Sequence, residues 1–176
     1  MIIMMGMPGS GKSLQGKMLA DRLGLPWLST GEFLRMLVTG PQRQNMLQGE
    51  LLKDSEIINQ MQRILGLIDS GQEFVLDGFP RTSEQAEWLL SQVKHGQLKA
   101  TAVIHITLMP EIARSRLSSR GRVDDNNSAV EERLIIYENT ELSIINSFKE
   151  ASVKIIEING ELAPEEVHQE IYRQLT

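Results

Sequence analysis

Met1-Ile2-Ile3-Met4-Met5-Gly6-Met7-Pro8-Gly9-Ser10-Gly11-Lys12-Ser13 is the stretch that decides the fold. An apolar run, then a glycine-rich turn, then helical spacing predict a buried strand, a tight loop and a helix. Gly6 to Ser13 fits G-x-x-x-x-G-K-[ST] in that context, which a mere glycine-rich turn with a surface lysine would lack. Glycines let the backbone wrap closely enough for successive N–H groups to face one anion, and the following helix adds its positive end. Lys12 supplies a mobile charge for β- and γ-phosphates, and Ser13 a hydroxyl for Mg²⁺. With Leu14 after them, Gly9, Ser10, Gly11, Lys12 and Ser13 form the expected phosphate-donor set.

Outward from this loop, further short apolar runs recur at Trp27 to Leu28, Phe74 to Leu76, Val103 to Thr107 and Val153 to Ile158. Stretches with helical spacing separate them, the signature of an α/β domain on a parallel five-stranded sheet. Ile57, Ile58, Met61, Ile64, Leu65 and Ile68 draw one apolar helical stripe whose plain reading is core packing. Asp54 and Ser55 are its expected caps and Ser70-Gly71 its expected stop. Pro110 and Pro164 each predict a helix start, since a missing N–H costs little in the first turn. At 176 residues, with no repeat or low-complexity linker, a single domain is expected.

Composition narrows the function. Eighteen Lys plus Arg against 23 Asp plus Glu leave a net charge of −5, which disfavours a nonspecific nucleic-acid binder. Aromatic content of 5% leaves few stacking platforms for single strands. The absence of cysteine excludes disulfides, thiol catalysis and cysteine-ligated zinc, and fits a reducing, cytoplasmic setting. The leading apolar run breaks at Gly6, too short for a signal peptide or a membrane span, so a soluble protein is expected.

Two further signals carry chemistry. Phe74-Val75-Leu76-Asp77-Gly78-Phe79-Pro80-Arg81 is an apolar strand ending in an acid. Ligands collect at the carboxyl ends of parallel strands, so Asp77 should face the same crevice as the phosphate loop and hold the water shell of Mg²⁺. Arg114, Arg116, Arg120, Arg122 and Arg133 form a dense basic cluster within an acidic chain. Guanidinium groups suit the charge that develops on oxygens during phosphoryl transfer. Arg116 and Arg120, four apart, share a helix face, whereas Arg114 points elsewhere and is expected in solvent.

With these residues in place the chain resembles the nucleoside monophosphate kinases, and among them a short-lid form of the adenylate kinases. Ser29-Thr30-Gly31-Glu32-Phe33-Leu34-Arg35 resembles S-T-G-D-x-x-R, and Leu76 to Arg81 resembles L-D-G-F-P-R, with Gln85 four residues beyond. Gly121-Arg122-Val123-Asp124-Asp125, followed by Arg133-Leu134, resembles G-R-x-D-D…R-L. The resemblance implies that Arg35 and Arg81 clamp the acceptor phosphate, that Gly78 lies in the acceptor site, and that Thr30 and Gln85 contact the acceptor base. The segment Gly49 to Leu52 would line that pocket. Lys12, Arg120, Arg122 and Arg133 would surround the transferring group, Arg116 and Gly160 would lie beside the donor adenine, and Asp124 and Asp125 would orient lid arginines.

Departures accompany the likeness. Lys12 is followed by Ser13-Leu14 where G-K-G-T is common, so Ser13 takes the metal-side role. Glu32 replaces an Asp, Lys53-Asp54 stands at a frequent Val-Pro junction, and Leu142 replaces a proline. Only Gly121 separates Arg120 from Arg122, so the lid is abbreviated. The expectation is a phosphate-loop fold with a core of residues 1–29, 60–118 and 129–176, a helical acceptor-binding insertion at 30–59 and a minimal lid at 119–128. Its activity would be reversible transfer from Mg-ATP to AMP giving two ADP, by a monomer that engages neither nucleic acid nor membrane. The rivals are another small-molecule kinase on the same scaffold, acting for example on CMP or UMP, and a nucleotide-binding regulator with vestigial activity.

Overall fold

Each of the five apolar runs becomes a strand in the computed structural model, which describes residues 1–40, 43–44, 52–69, 71–121 and 127–176. In chain order these are β1 (Ile2–Gly6), α1 (Lys12–Leu23), β2 (Trp27–Ser29), α2 (Thr30–Leu37), α3 (Asp54–Leu65), β3 (Val75–Asp77), α4 (Ser83–Lys94) and β4 (Ala102–Thr107). There follow α5 (Pro110–Arg120), α6 (Asn127–Glu150), β5 (Lys154–Asn159) and α7 (Pro164–Leu175). The strands are all parallel, in the order β2-β3-β1-β4-β5.

That order determines where a ligand goes. β1 is flanked by β3 on one side and β4 on the other, and the chain crosses from one side to the other after β3. Connections leaving opposite ways open a crevice at the carboxyl edge, and β1 ends there in the phosphate loop while β3 ends in Asp77.

Helices cover both faces, so the central strands are buried on both sides and read as nearly continuous apolar runs rather than alternating ones. Ile3, Met5 and Leu76 enter one core with Met61, Leu89 and Phe148 from α3, α4 and α6. Ile2, Met4 and Val75 enter the other with Leu19 from α1 and Val167 and Ile171 from α7. Residues two apart on a strand share a face, which gives this partition.

The strand limits differ slightly from the apolar runs. β1, β3 and β5 each start and end one residue later than the run that predicts them. Hydropathy marks buried side chains, whereas backbone pairing carries the ladder onward: Met4 pairs with Asp77, Gly6 with Ile106 and Thr107 with Asn159.

The apolar stripe on α3 corrects two expectations. The helix stops at Leu65 with Gly66 as its cap, because only Ile57, Met61 and Ile64 are fully buried and Ile68 lies beyond the turn. Ser70 lies outside the described residues. The N-cap is Lys53 rather than Asp54 or Ser55, and its N–H donates to the Glu56 carboxylate at 3.3 Å. Asp54 is already helical, its carboxylate turned to α4 instead. Pro110 and Pro164 do occupy first-turn positions.

Candidate active site

The loop between β1 and α1 is built by what glycine permits. Gly6 and Gly11 have φ of 147° and 90°, conformations that L side chains rarely adopt. Gly11 is also the N-cap of α1, so no side chain satisfies the first-turn N–H groups and they are left to an incoming anion. Gly9, with φ of 87°, has a second reason as well: a Cβ there would stand 2.9 Å from the Ala113 carbonyl of α5.

Gly6, Pro8, Lys12 and Ser13 line one side of a cavity at the carboxyl edge of the sheet, with Asp77 at its base. Gly9, Ser10, Gly11 and Leu14 do not line it. Gly9 packs on α5, Ser10 is buried, and Leu14 is half exposed.

Lys12 is the electrostatic centre. Desolvation lowers its pKa to about 8; Asp77 opposes the shift, while Arg81, Arg120 and Arg133 reinforce it. Four cations from α1, the β3–α4 connection, α5 and α6 therefore converge on one place, which suits a polyanion.

Asp77 is 1% exposed, and its two oxygens differ. Oδ2 accepts from the Ser29 hydroxyl at 3.1 Å, whereas Oδ1 is buried with no hydrogen-bond partner. A buried carboxylate oxygen without a donor costs free energy until a cation or its water reaches it. Together with the Ser13 hydroxyl on the same wall this fits a hydrated Mg²⁺, which takes few protein ligands. Among the described residues no cluster of three or more His, Cys, Asp or Glu offers a caged metal site.

The residues expected on the acceptor side assemble in the same cavity: Thr30, Arg35 and Leu52 from the expected insertion, and Gly78, Arg81 and Gln85 from the segment after β3. Arg35 and Arg81 converge on Gly31. A Cβ there would stand 3.4 Å from an Arg81 terminal nitrogen and 3.6 Å from both of Arg35. Arg81 is further aimed by its Nε, which donates to the Gly78 carbonyl at 2.8 Å. The Thr30 hydroxyl lies 3.5 Å from the Met61 sulfur.

Gln85 is 1% exposed, and its amide is already engaged. Oε1 accepts from the Arg81 backbone N–H at 2.8 Å, and Nε2 donates to Asp54 Oδ1 at 2.7 Å. One N–H and one lone pair remain.

Of the two residues expected beside the donor adenine neither lines the cavity, but Arg116 donates to the Gly160 carbonyl at 2.8 Å, which joins two residues 44 apart in the chain. Gly160 is required for space: a Cβ would stand 2.6 Å from Ile106 Cγ2 and 2.9 Å from the Thr107 carbonyl. Arg114 is exposed and paired with Glu131 at 2.7 Å, the solvated position expected of it. Arg122, Asp124 and Asp125, with Gly49, Glu50 and Leu51, lie outside the described residues.

Several contributors escape a reading by motif. Tyr137 and Thr140 of α6 line the cavity, and the single proton of the Thr140 hydroxyl is shared between the Ile136 carbonyl one turn back, at 2.9 Å, and the Arg81 carbonyl, at 3.2 Å. Tyr137 donates to Glu141 at 2.6 Å, and both meet His105 of β4, tying α6 to the sheet. Burial beside that carboxylate pushes the Tyr137 pKa up, so the phenol stays protonated. Ser29 had a signal, since it opens the S-T-G run.

A phosphate loop at a topological switch point, facing a buried acid and converging arginines, defines a phosphotransferase of the P-loop class. A family model described as adenylate kinase matches residues 4–153. An adenylate kinase of Corynebacterium urealyticum is 33% identical over 174 residues, covering 96% of this chain and 94% of its own. One of Synechococcus sp. is 33% identical with 92% and 91% covered, and adenylate kinase 1 of Nostoc sp. 31% with 97% and 95%. The chain belongs to the adenylate kinase family. Neither rival reading is favoured by these matches.

Proposed function

We propose that the chain transfers the terminal phosphoryl group of Mg-ATP to AMP, reversibly, with residues in and beside the cavity in the following roles. The single observation that carries the reading is the convergence of Lys12, Arg81, Arg120 and Arg133 beside Asp77. Arg35 and Arg81 hold the AMP phosphate, and Thr30, Leu52, Gly78 and Gln85 hold the remainder of AMP. The donor lies on Gly9 to Leu14, with Arg116 and Gly160 toward its adenine.

In the transfer, an oxygen of the AMP phosphate bonds to the γ-phosphorus while the bond from that phosphorus to the β–γ bridging oxygen breaks, leaving ADP on both sides. The attacking oxygen is already anionic, so no general base is needed; catalysis is positioning and charge neutralisation. Lys12, Arg120 and Arg133 face the charge that spreads over the equatorial oxygens, and the resemblance gives Arg122, outside the described residues, the same role. Ser13 and, through water, Asp77 would hold Mg²⁺. The bound cation supplies additional charge neutralisation at the donor phosphates.

The insertion at 30–59 and the lid at 119–128 close over the two nucleotides and expel water that would otherwise accept the phosphoryl group. We take the working form as a cytoplasmic monomer; no described helix is long and apolar enough to cross a membrane.

The test is ADP formed per enzyme per second from ATP plus AMP, in competition with CMP and UMP. A preference for AMP of at least tenfold in kcat/KM is expected, since one bidentate base contact discriminates by about 1–3 kcal/mol. Equal use of CMP or UMP overturns the acceptor assignment and leaves a monophosphate kinase of another specificity.

A further inference from the structure

We propose that Asp54 is a specificity-determining positioning residue: it fixes which end of the Gln85 amide faces the 6-position of the acceptor purine. The inference rests on the assignment of Gln85 to the acceptor base.

A glutamine amide is nearly symmetric in shape but not in chemistry, and turning it over exchanges a donor for an acceptor. Here its two partners leave no ambiguity. The Arg81 backbone N–H only donates, so it requires Oε1, and it lies 2.8 Å away. A carboxylate only accepts, so Asp54 requires Nε2, and it lies 2.7 Å away. The amide is thus held from both ends before any nucleotide arrives.

Asp54 is itself held. Its other oxygen, Oδ2, accepts from the Thr82 hydroxyl at 2.9 Å, and Thr82 caps α4 by accepting the Gln85 backbone N–H at 3.2 Å. The carboxylate therefore bridges the first turn of α3 to the first turn of α4, across 28 and 31 residues of sequence. The same contacts connect the expected acceptor-binding insertion to the core at the base-recognising side chain.

The consequence is a rule for the acceptor. AMP carries an amino donor at its 6-position and inosine monophosphate a carbonyl acceptor, in bases of nearly the same shape. An amide held with its free Oε1 lone pair toward that position accepts from the amino group and meets the carbonyl with lone pair against lone pair. An amide free to turn can present N–H to the carbonyl instead, and the distinction fades.

Asp54→Asn preserves shape but substitutes a group that can donate or accept, so it no longer dictates the orientation; Asp54→Ala removes the contact. The readouts are kcat/KM for AMP and inosine monophosphate, KM for ATP, and Tm of each full-length variant. The Arg81 N–H still favours Oε1 at its end, so both Asp54 variants are expected to lower the AMP to inosine monophosphate ratio about three- to tenfold, short of the loss in Gln85→Ala, while KM for ATP stays within about threefold. If Gln85→Ala collapses the ratio and both folded Asp54 variants retain the wild-type value, Asp54 is merely a staple between helices and the proposal is overturned. If Gln85→Ala itself leaves the ratio unchanged, the base-contact assignment falls, and this inference with it.

Discussion

The phosphate end and the base end of the cavity are prepared in opposite ways. Around Lys12 four cations converge, burial depresses the lysine, and Asp77 Oδ1 has no hydrogen-bond partner. Around Gln85 the polar groups are already paired, through Arg81, Asp54 and Thr82. The difference follows from what each end must do. Strain relieved by the anion favours charge that grows in the transition state, whereas discrimination between bases needs donors and acceptors fixed in advance.

The largest expected effect breaks the phosphate end alone. Lys12→Met should lower kcat by two to three orders of magnitude, the roughly 3–4 kcal/mol of one preorganised donor, measured as steady-state ADP production. The ligand-free fold should not suffer. The Lys12 pKa of about 8 lies below its ordinary 10.5, so between those values the unfolded chain binds more protons. The penalty is therefore full below pH 8 and fades as pH rises to 10.5, and removing the ammonium at pH 7 should raise Tm rather than lower it. A mutant with near-normal turnover, or one that is unfolded at 25 °C, contradicts this account.

At the base end, Gln85→Ala should reduce the preference for AMP over CMP and UMP by about 5- to 150-fold, the range of one bidentate contact. The affinity for the phosphate, carried by Arg35 and Arg81, should survive. An unchanged ranking of acceptors would remove Gln85 from the site.

A smaller effect comes from pH. Neutralising Lys12 weakens the phosphate end, so kcat/KM for Mg-ATP should fall as pH rises through about 8, by about twofold there and about tenfold one unit higher. Bound nucleotide favours the ammonium, so binding at pH 8 should take up protons, measurable by calorimetry in buffers of different ionisation enthalpy. A profile flat to pH 10 would place the ammonium in a different electrostatic setting.

The smallest concerns the lid. With only Gly121 between Arg120 and Arg122, few residues are available to exclude water, so slow ATP hydrolysis without AMP is expected. A kinase-competent preparation with no detectable hydrolysis counts against an inefficient lid.

Much of this was legible in the chain because spacing encodes local geometry. The phosphate loop and the strand ending at Asp77 are short-range patterns, and the parallel sheet follows from the alternation of apolar runs. What the sequence hid are hydrogen bonds between side chains far apart along it. Asp54 reads as a helix cap until Gln85, 31 residues on, comes to meet it. Thr140 reads as one more residue of a long helix, yet its hydroxyl, which also reaches the Ile136 carbonyl, lies 3.2 Å from the Arg81 carbonyl 59 residues away. The stop of α3 at Leu65 was missed because apolar periodicity continues through Ile68 after backbone hydrogen bonding has ended.

The most direct measurement crosses the two ends: kcat and the AMP to CMP ratio of kcat/KM, determined together for wild type, Lys12→Met and Gln85→Ala. The account predicts a double dissociation, with Lys12→Met losing at least a hundredfold in kcat at an unchanged ratio, and Gln85→Ala losing at least fivefold in the ratio with kcat for AMP nearly retained. A Lys12 variant that alters acceptor choice, or a Gln85 variant that slows both acceptors equally, would contradict the division of labour between the two ends.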